Sequence, residues 1–339
     1  MRITSRFLLT VVLFPGLLSC PAQAASPSPT YFDFRNNFWM NLHHTLFREM
    51  VVGKMDELTK KNIGIVPLSG ADLSEQEKQV WSAAVHFYAV TFAKSRLLFD
   101  EMVPINNLLG QQKDPQKLSP SGLSEDLVKY LESAAPIYRN HWWPDHQKAN
   151  EQFIAGMRPK VGDFAPVVIP QLEHFFGMNW QSPPLQVDVA YYVAEVGSAY
   201  TTENPGHTTI ASSREDNHGL AGLETMFHEG AHTLTGRLES ALDSQCQRQN
   251  KSCEDLWHAV QFYTVGVVVK EALAAHGTPG YVPYAYKFGL YERGDWPEFR
   301  PALERDWQPY LDGKSSFDQA VANLVRDISA KKAPPSAPN

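Results

Sequence analysis

Leu223-Glu224-Thr225-Met226-Phe227-His228-Glu229-Gly230-Ala231-His232 is the stretch from which the rest of the chain takes its meaning. Leu223, Met226, Phe227, Ala231 and Leu234 form an apolar face opposite Glu224, His228 and His232, so the spacing predicts an amphipathic helix. Gly219 and Gly222 near its start and Gly236 near its end give it limits. On such a helix His228 and His232, four apart, project from one face about one turn from each other. That is the bite a tetrahedral zinc ion takes from two nitrogen ligands. Glu229 lies one position around the helix, too far offset to chelate beside them. It is placed instead to accept a proton from a water whose pKa the metal has lowered. The bland alternative is a helix carrying two exposed histidines and no metal.

A third ligand has to come from elsewhere. Ser252-Cys253-Glu254-Asp255 looks like a capping box and opens a second helix through Trp257-His258-Ala259-Val260-Gln261-Phe262-Tyr263. That helix stops at Gly277, with Pro279 just beyond. Two residues compete for the role, Glu254 and His258, which share one helix face. Zinc accepts either type. An acid in a first helical turn is already favoured by the helix dipole, which explains Glu254 without a metal. His258 sits between Trp257 and an apolar run, where an unpaired ring is costly and either a carbonyl partner or metal ligation would satisfy it. His258 is the preferred ligand. Glu254 or Glu224 would then serve as hydrogen-bond acceptor for a ligand imidazole. Cys246 and Cys253, separated by a polar turn between the two helices, are expected to form a disulfide rather than a metal site, since neither has a CxxC partner.

Strand signals precede the first metal helix. Leu185 to Val193 alternates Val187, Val189, Tyr191 and Val193 on one face. A second extended stretch follows Gly197, Asn204-Pro205-Gly206 marks a turn, and His207 to Ser212 returns as a strand. Earlier still, the chain from Tyr31 to about Lys160 reads as helical. Phe34, Phe38, Leu42, Leu46 and Met50 make a stripe at spacing four, one long helix is expected from Ser74 to about Leu109, and another from Ser119 to Arg139. The fold class that results is α+β, mostly helical. Its expected parts are a helical N-terminal region (25–160), a core with a small sheet and the metal helices (161–280), a helical C-terminal part (281–330) and a disordered tail rich in Pro and Ala (331–339).

The HExxH pattern on a helix resembles that of the zincin metallopeptidases. The metzincin extension HExxHxxGxxH fails, because Thr235 stands at its Gly and Leu238 at its third His. The gluzincin style, with a third ligand from a later helix, is the nearer likeness, although His258 would be an atypical third ligand. The resemblance implies a zincin-like core, a Zn2+ cofactor held by His228, His232 and His258, and Glu229 as general base. It further implies a peptide or protein substrate held along an edge strand, and a donor for the tetrahedral oxyanion. Tyr263, Tyr281, Tyr284, Tyr286 and His276 are candidates for that donor, and Tyr284 in the Gly280–Tyr284 loop is preferred. Two non-catalytic readings stand beside this one: an exported zinc-binding protein, and a helical interaction module.

Composition agrees with a folded globular protein: 339 residues, 43% hydrophobic and 20% charged. Net charge is -7, without a basic stripe, which argues against a nucleic-acid partner. Arg2 and Arg6, the apolar run Phe7 to Leu18 and Ala22-Gln23-Ala24 predict a signal peptide over 1–24 and hence export, to a periplasm or outside the cell. Leu17-Leu18-Ser19-Cys20 offers an alternative, a lipid anchor at Cys20. No integral membrane span is expected, since even Trp257 to Ala275 carries His258, Lys270 and Glu271. Among the other histidines, His141, Asp145 and His146 could form a second metal site, but the intervening Trp142-Trp143 reads better as a core anchor. His43 and His44 point apart on a helix. His207 and His218 flank the active helix with no role fixed by the sequence.

Overall fold

The computed structural model describes residues 30–56, 68, 72–97, 101–119, 122–180, 184–193, 198–203 and 206–328. The expected signal, the lipidation box at Cys20 and the tail at 331–339 lie outside the described residues. Helices surround one small mixed sheet, the α+β, mostly helical architecture expected.

The first element departs from expectation. Phe32–Arg35 is a strand, β1, not part of a helix. Phe32 and Phe34 turn inward at alternate positions, while Asp33 and Arg35 form an ion pair with each other on the opposite side. Phe34 therefore leaves the apolar stripe, whose other members lie on α1 (Phe38–Gly53), begun where the Asn37 side chain accepts the Met40 N–H. Strands β2 (Leu185–Ala190), β3 (Ala199–Glu203) and β4 (Gly206–Ala211) complete a sheet in the order β1-β2-β4-β3. β3 and β4 form the expected antiparallel hairpin, whereas β1 with β2, and β2 with β4, pair in parallel. β3 is thus an edge strand.

The two faces of the sheet meet different cores. Leu185, Val187, Val189 and Ile210 join one core with the helices that carry His228 and His258 and with the C-terminal helices. Tyr200 joins the other, built from Phe38 through Trp142. The N-terminal core is formed by α1, α2 (Glu75–Thr91), α3 (Met102–Gly110) and α4 (Glu125–His141). Ser74 closes a capping box with Glu77 as expected, but the helix does not continue to Leu109. It ends at Thr91, because Phe92 and Leu97 turn into the core and Asn106 ties the Leu97 carbonyl with a 3.0 Å hydrogen bond. The next helix begins after Ser124 rather than at Ser119, since Gly122 takes a φ of 85° that no helix allows. α5 (Trp143–Phe176) runs unbroken through position 160 and joins the two cores.

Then come α6 (Gly219–Ala231), α7 (Gly236–Gln249) and α8 (Leu256–Ala275). Cys246 at the end of α7 forms a disulfide with Cys253. The expected capping box does not form: Asp255 opens α8 in the left-handed region, without a side-chain cap. Lys251 in the same turn donates to the carbonyls of Val325, Arg326 and Ile328, pinning the last helix (Phe317–Asp327) against it. Among the described residues no helix is long and apolar enough to cross a membrane.

Candidate metal centre

His228 stands near the end of α6, and His232 follows in the 3₁₀ turn His232–Leu234 that prolongs it. Their rings are 5.0 Å apart, centre to centre. α8 packs against α6 and brings His258 opposite, its ring 5.2 Å from His228 and 5.3 Å from His232. Ligand atoms of the three residues lie within 4.8 Å of one another, a group that could hold a metal ion. The Nε2 atoms of His228 and His258 are 3.2 Å apart. Two nitrogens sharing a tetrahedral zinc at bond lengths of about 2.0–2.1 Å stand roughly 3.3 Å apart, so the pair fits such an ion. Glu254 is exposed and outside this group, and of the two competing third ligands the fold gathers His258.

The electrostatics are compatible with ligation. Burial lowers the pKa of His228 well below its ordinary value, with the nearby charges of His232 and His258 adding to the effect. Burial also brings His232 down to about 3 and His258 to about 4. Neutral imidazole is the form that binds metal, so these rings need lose no proton on ligation near neutral pH. Their surroundings are aromatic: Phe262 stacks on His228 at 3.6 Å, and Trp257 stacks on His258 at 4.9 Å.

Glu229 turns from the helix towards the sheet. Its Oε2 accepts a hydrogen bond from the Thr201 hydroxyl at 2.8 Å, and Thr201 in turn is 2.8 Å from the hydroxyl of Thr208. Burial raises the Glu229 carboxyl to about 7, against the opposing effect of the Thr201 bond. A cavity of about 910 Å³ opens over the three histidines and Glu229. One wall is β3, from Ala199 to Thr201, and the facing wall includes Trp257, Phe262, Phe288 and Trp296.

Of the candidate oxyanion donors, Tyr284 alone lines this cavity. Its hydroxyl donates to Asp216 Oδ2 at 3.1 Å and burial pushes its pKa up to about 12, so it stays a donor. Tyr263, Tyr281 and Tyr286 donate to Gln308, Glu224 and Glu304, and His276 is bonded to the Ala272 carbonyl. Glu224 does not back a ligand histidine: its carboxylate accepts from Tyr281 Oη at 2.7 Å and from the Tyr284 backbone N–H at 2.9 Å. It thereby ties the Tyr281–Tyr284 loop to α6. Glu254, exposed in the turn, is not brought to the imidazoles either.

The remaining histidines are placed elsewhere. His207 is buried on the far face of the sheet, 2.6 Å from Asp188, and His218 bonds the Ser212 carbonyl. His141 pairs with Glu77, and His146 bonds Tyr138 and stacks on Tyr191 at 4.0 Å, while Trp142 is buried in the N-terminal core. His43 and His44 diverge, with their rings at 87°, towards Tyr88 and Tyr200. Sequence reasoning missed Thr201 and gave no role to Phe262. The latter carried a signal, since it follows His258 by four and shares its helix face. Comparison with models of protein families, with curated proteins and with solved structures finds no match, so the reading of this centre rests on the chain's own residues.

Proposed function

We propose that this chain is an exported zinc-dependent peptidase of zincin type, gluzincin-like with a histidine as third ligand. The observation that carries the reading is the convergence of three neutral imidazoles beside a buried carboxylate at the floor of one cavity. His228, His232 and His258 would hold the ion. Zinc held there supplies Lewis acidity, which lowers the pKa of water and polarises a carbonyl. Glu229, held by Thr201, takes the proton of the attacking water as the new C–O bond forms, and delivers it to the amine as the C–N bond breaks. β3 offers its outer edge to an extended chain. Tyr284, which lines the same cavity, would donate to the developing oxyanion, exchanging its bond to Asp216 for one to substrate. The signal pattern at 1–24 and the Cys246–Cys253 disulfide support an oxidising destination, periplasmic or extracellular.

A structural zinc site has no need of a buried base, which favours hydrolysis over a binding role. The test is zinc content of the purified protein together with cleavage of an unstructured protein such as casein by wild type and by Glu229→Gln. Zinc in both proteins with cleavage lost in the variant is the expected result. Equal cleavage would remove Glu229 from the mechanism, and zinc without cleavage in the wild type would return the non-catalytic reading.

A further inference from the structure

We propose that Phe262 orients the His228 imidazole for the metal, by ring stacking in place of a hydrogen bond. The inference rests on the metal centre and not on catalysis.

A ligand imidazole is commonly fixed by its second nitrogen, which donates to a carboxylate or carbonyl and so sets both tautomer and ring plane. His228 lacks this. The residue is 3% exposed, and its Nδ1 has no hydrogen-bond partner among the described residues. The nearest candidate on its own helix, Glu224 one turn earlier, is occupied by Tyr281 and Tyr284. Gln261 donates to the His228 backbone carbonyl at 2.8 Å, which steadies the helix but not the ring.

What meets the ring is Phe262. The two centroids are 3.6 Å apart and the planes differ by 23°. The same phenyl lies 5.0 Å from the His258 ring and 5.6 Å, edge on, from Trp296. Phe262 follows His258 by one turn of α8, so one side chain sets the plane of a ligand on α6 relative to a ligand on its own helix.

Two physical consequences follow. An imidazole with no acceptor behind Nδ1 is a weaker base, and leaves more of the positive charge on the cation. Ligation also withdraws electrons from the ring, and an electron-poor ring is held more strongly by an aromatic face. The stack therefore strengthens on metal binding, and its loss has to appear in metal affinity and not merely in packing.

The experiment uses the full chain and zinc alone, with affinity read by competition against a chromophoric chelator and geometry by the visible bands of the cobalt-loaded protein. Phe262→Leu removes the aromatic face and keeps an apolar side chain, whereas Phe262→Tyr keeps the ring. Zinc affinity should fall about 10- to 100-fold in the Leu variant, as for loss of other groups that orient a ligand. Its cobalt bands should shift, and Tyr should restore most of both. Phe262→Met, a flexible filler of the same space, is the second variant should Leu fail to fold, with the same loss expected. Wild-type affinity and bands in the Leu or Met variant would overturn the proposal, as would equal weakening by Tyr. A wild-type protein that binds no zinc would instead overturn the metal centre itself, before any variant is compared.

Discussion

Gly230 lies directly against the indole of Trp180: a Cβ at Gly230 would stand 2.1 Å from the Trp180 Cη2. The glycine inside the His228–His232 span is thus explained by what packs beneath the helix. Trp180 is itself fixed, its backbone N–H bonded to Glu173 at 2.7 Å and its ring set edge-on to Phe32 of β1 at 5.5 Å. A chain of contacts therefore runs from the first strand to the spacing of His228 and His232.

Gly230→Ala should consequently be destabilising although alanine is the better helix former. Overpacking of this kind costs about 1–3 kcal/mol, read as a lower urea midpoint, and zinc affinity should fall as α6 is pushed away from α8. Combining it with Trp180→Phe should return part of the stability, because the smaller ring vacates the space. Additive losses in the double variant would show that the two residues do not compete for that volume.

The disulfide makes a separate prediction. Cys246–Cys253 closes the turn that presents α8, and His258 follows Cys253 by five residues. Replacing both cysteines by serine frees a short loop in the unfolded chain, a loss of about 2–3 kcal/mol. The carbonyl clamp of Lys251 on the last helix should slacken with it. We expect the double variant to unfold at lower urea and to release zinc faster, while Glu229 keeps its bond to Thr201 on the other side of the cavity. Unchanged zinc release would show that α8 is positioned by its packing alone.

What the sequence could disclose divides by distance along the chain. His228, Glu229 and His232 follow from one turn of helix, and the β3–β4 hairpin from a turn between two extended runs, so both were legible. β1 was not: Phe32 pairs with Leu185, and a spacing of four that ran on from Phe34 into α1 imitated a helix. The end of α2 was lost for a related reason, since burial of Phe92 and Leu97 overrode a pattern that was locally helical. At the site, His258 could be ranked above Glu254 by its apolar setting, but the Thr201 bond to Glu229 depends on which face of β3 meets α6. A strand's alternation shows that Thr201 and Tyr200 part company without saying which way each turns.

His43 and His44 place an acid limit on the fold. Both are fully buried on α1, His43 facing Tyr88 and Asn106 of the neighbouring helices and His44 facing Tyr200, Asp188 and His207 of the sheet. Burial brings His44 from 6.5 down to about 4, and lowers His43 well below its ordinary value. A histidine depressed in the folded state takes up protons first in the unfolded state. Its stabilising effect is whole above pH 6.5 and lost as pH falls towards the folded value. For His44 alone the loss at pH 4 is on the order of 3 kcal/mol. Urea unfolding of metal-free protein at pH 7, 5.5 and 4.5 should show a falling midpoint, and His44→Gln should flatten part of that slope. A variant as acid-sensitive as wild type would assign the effect to other groups.

Thr201→Val tests whether the base needs the sheet. The two side chains have the same shape, and valine suits a strand, so β3 and its packing should persist. What disappears is the 2.8 Å hydrogen bond to Glu229 Oε2, leaving the buried carboxylate without its Thr201 donor. If Glu229 is the base, a carboxylate free to rotate spends less time aimed at the attacking water, and its proton affinity rises once the Thr201 bond is gone. Loss of one hydrogen bond to a charged group is worth about 1.5–3 kcal/mol, so casein cleavage should drop by roughly one to two orders of magnitude. Zinc content should stay at the wild-type level, because the Thr201 hydroxyl bonds Glu229 and Thr208 and not the imidazoles of His228, His232 or His258. Cleavage at the wild-type rate would mean that Glu229 is aimed by α6 alone, and a parallel loss of zinc would mean that Thr201 supports the metal helix rather than the carboxylate.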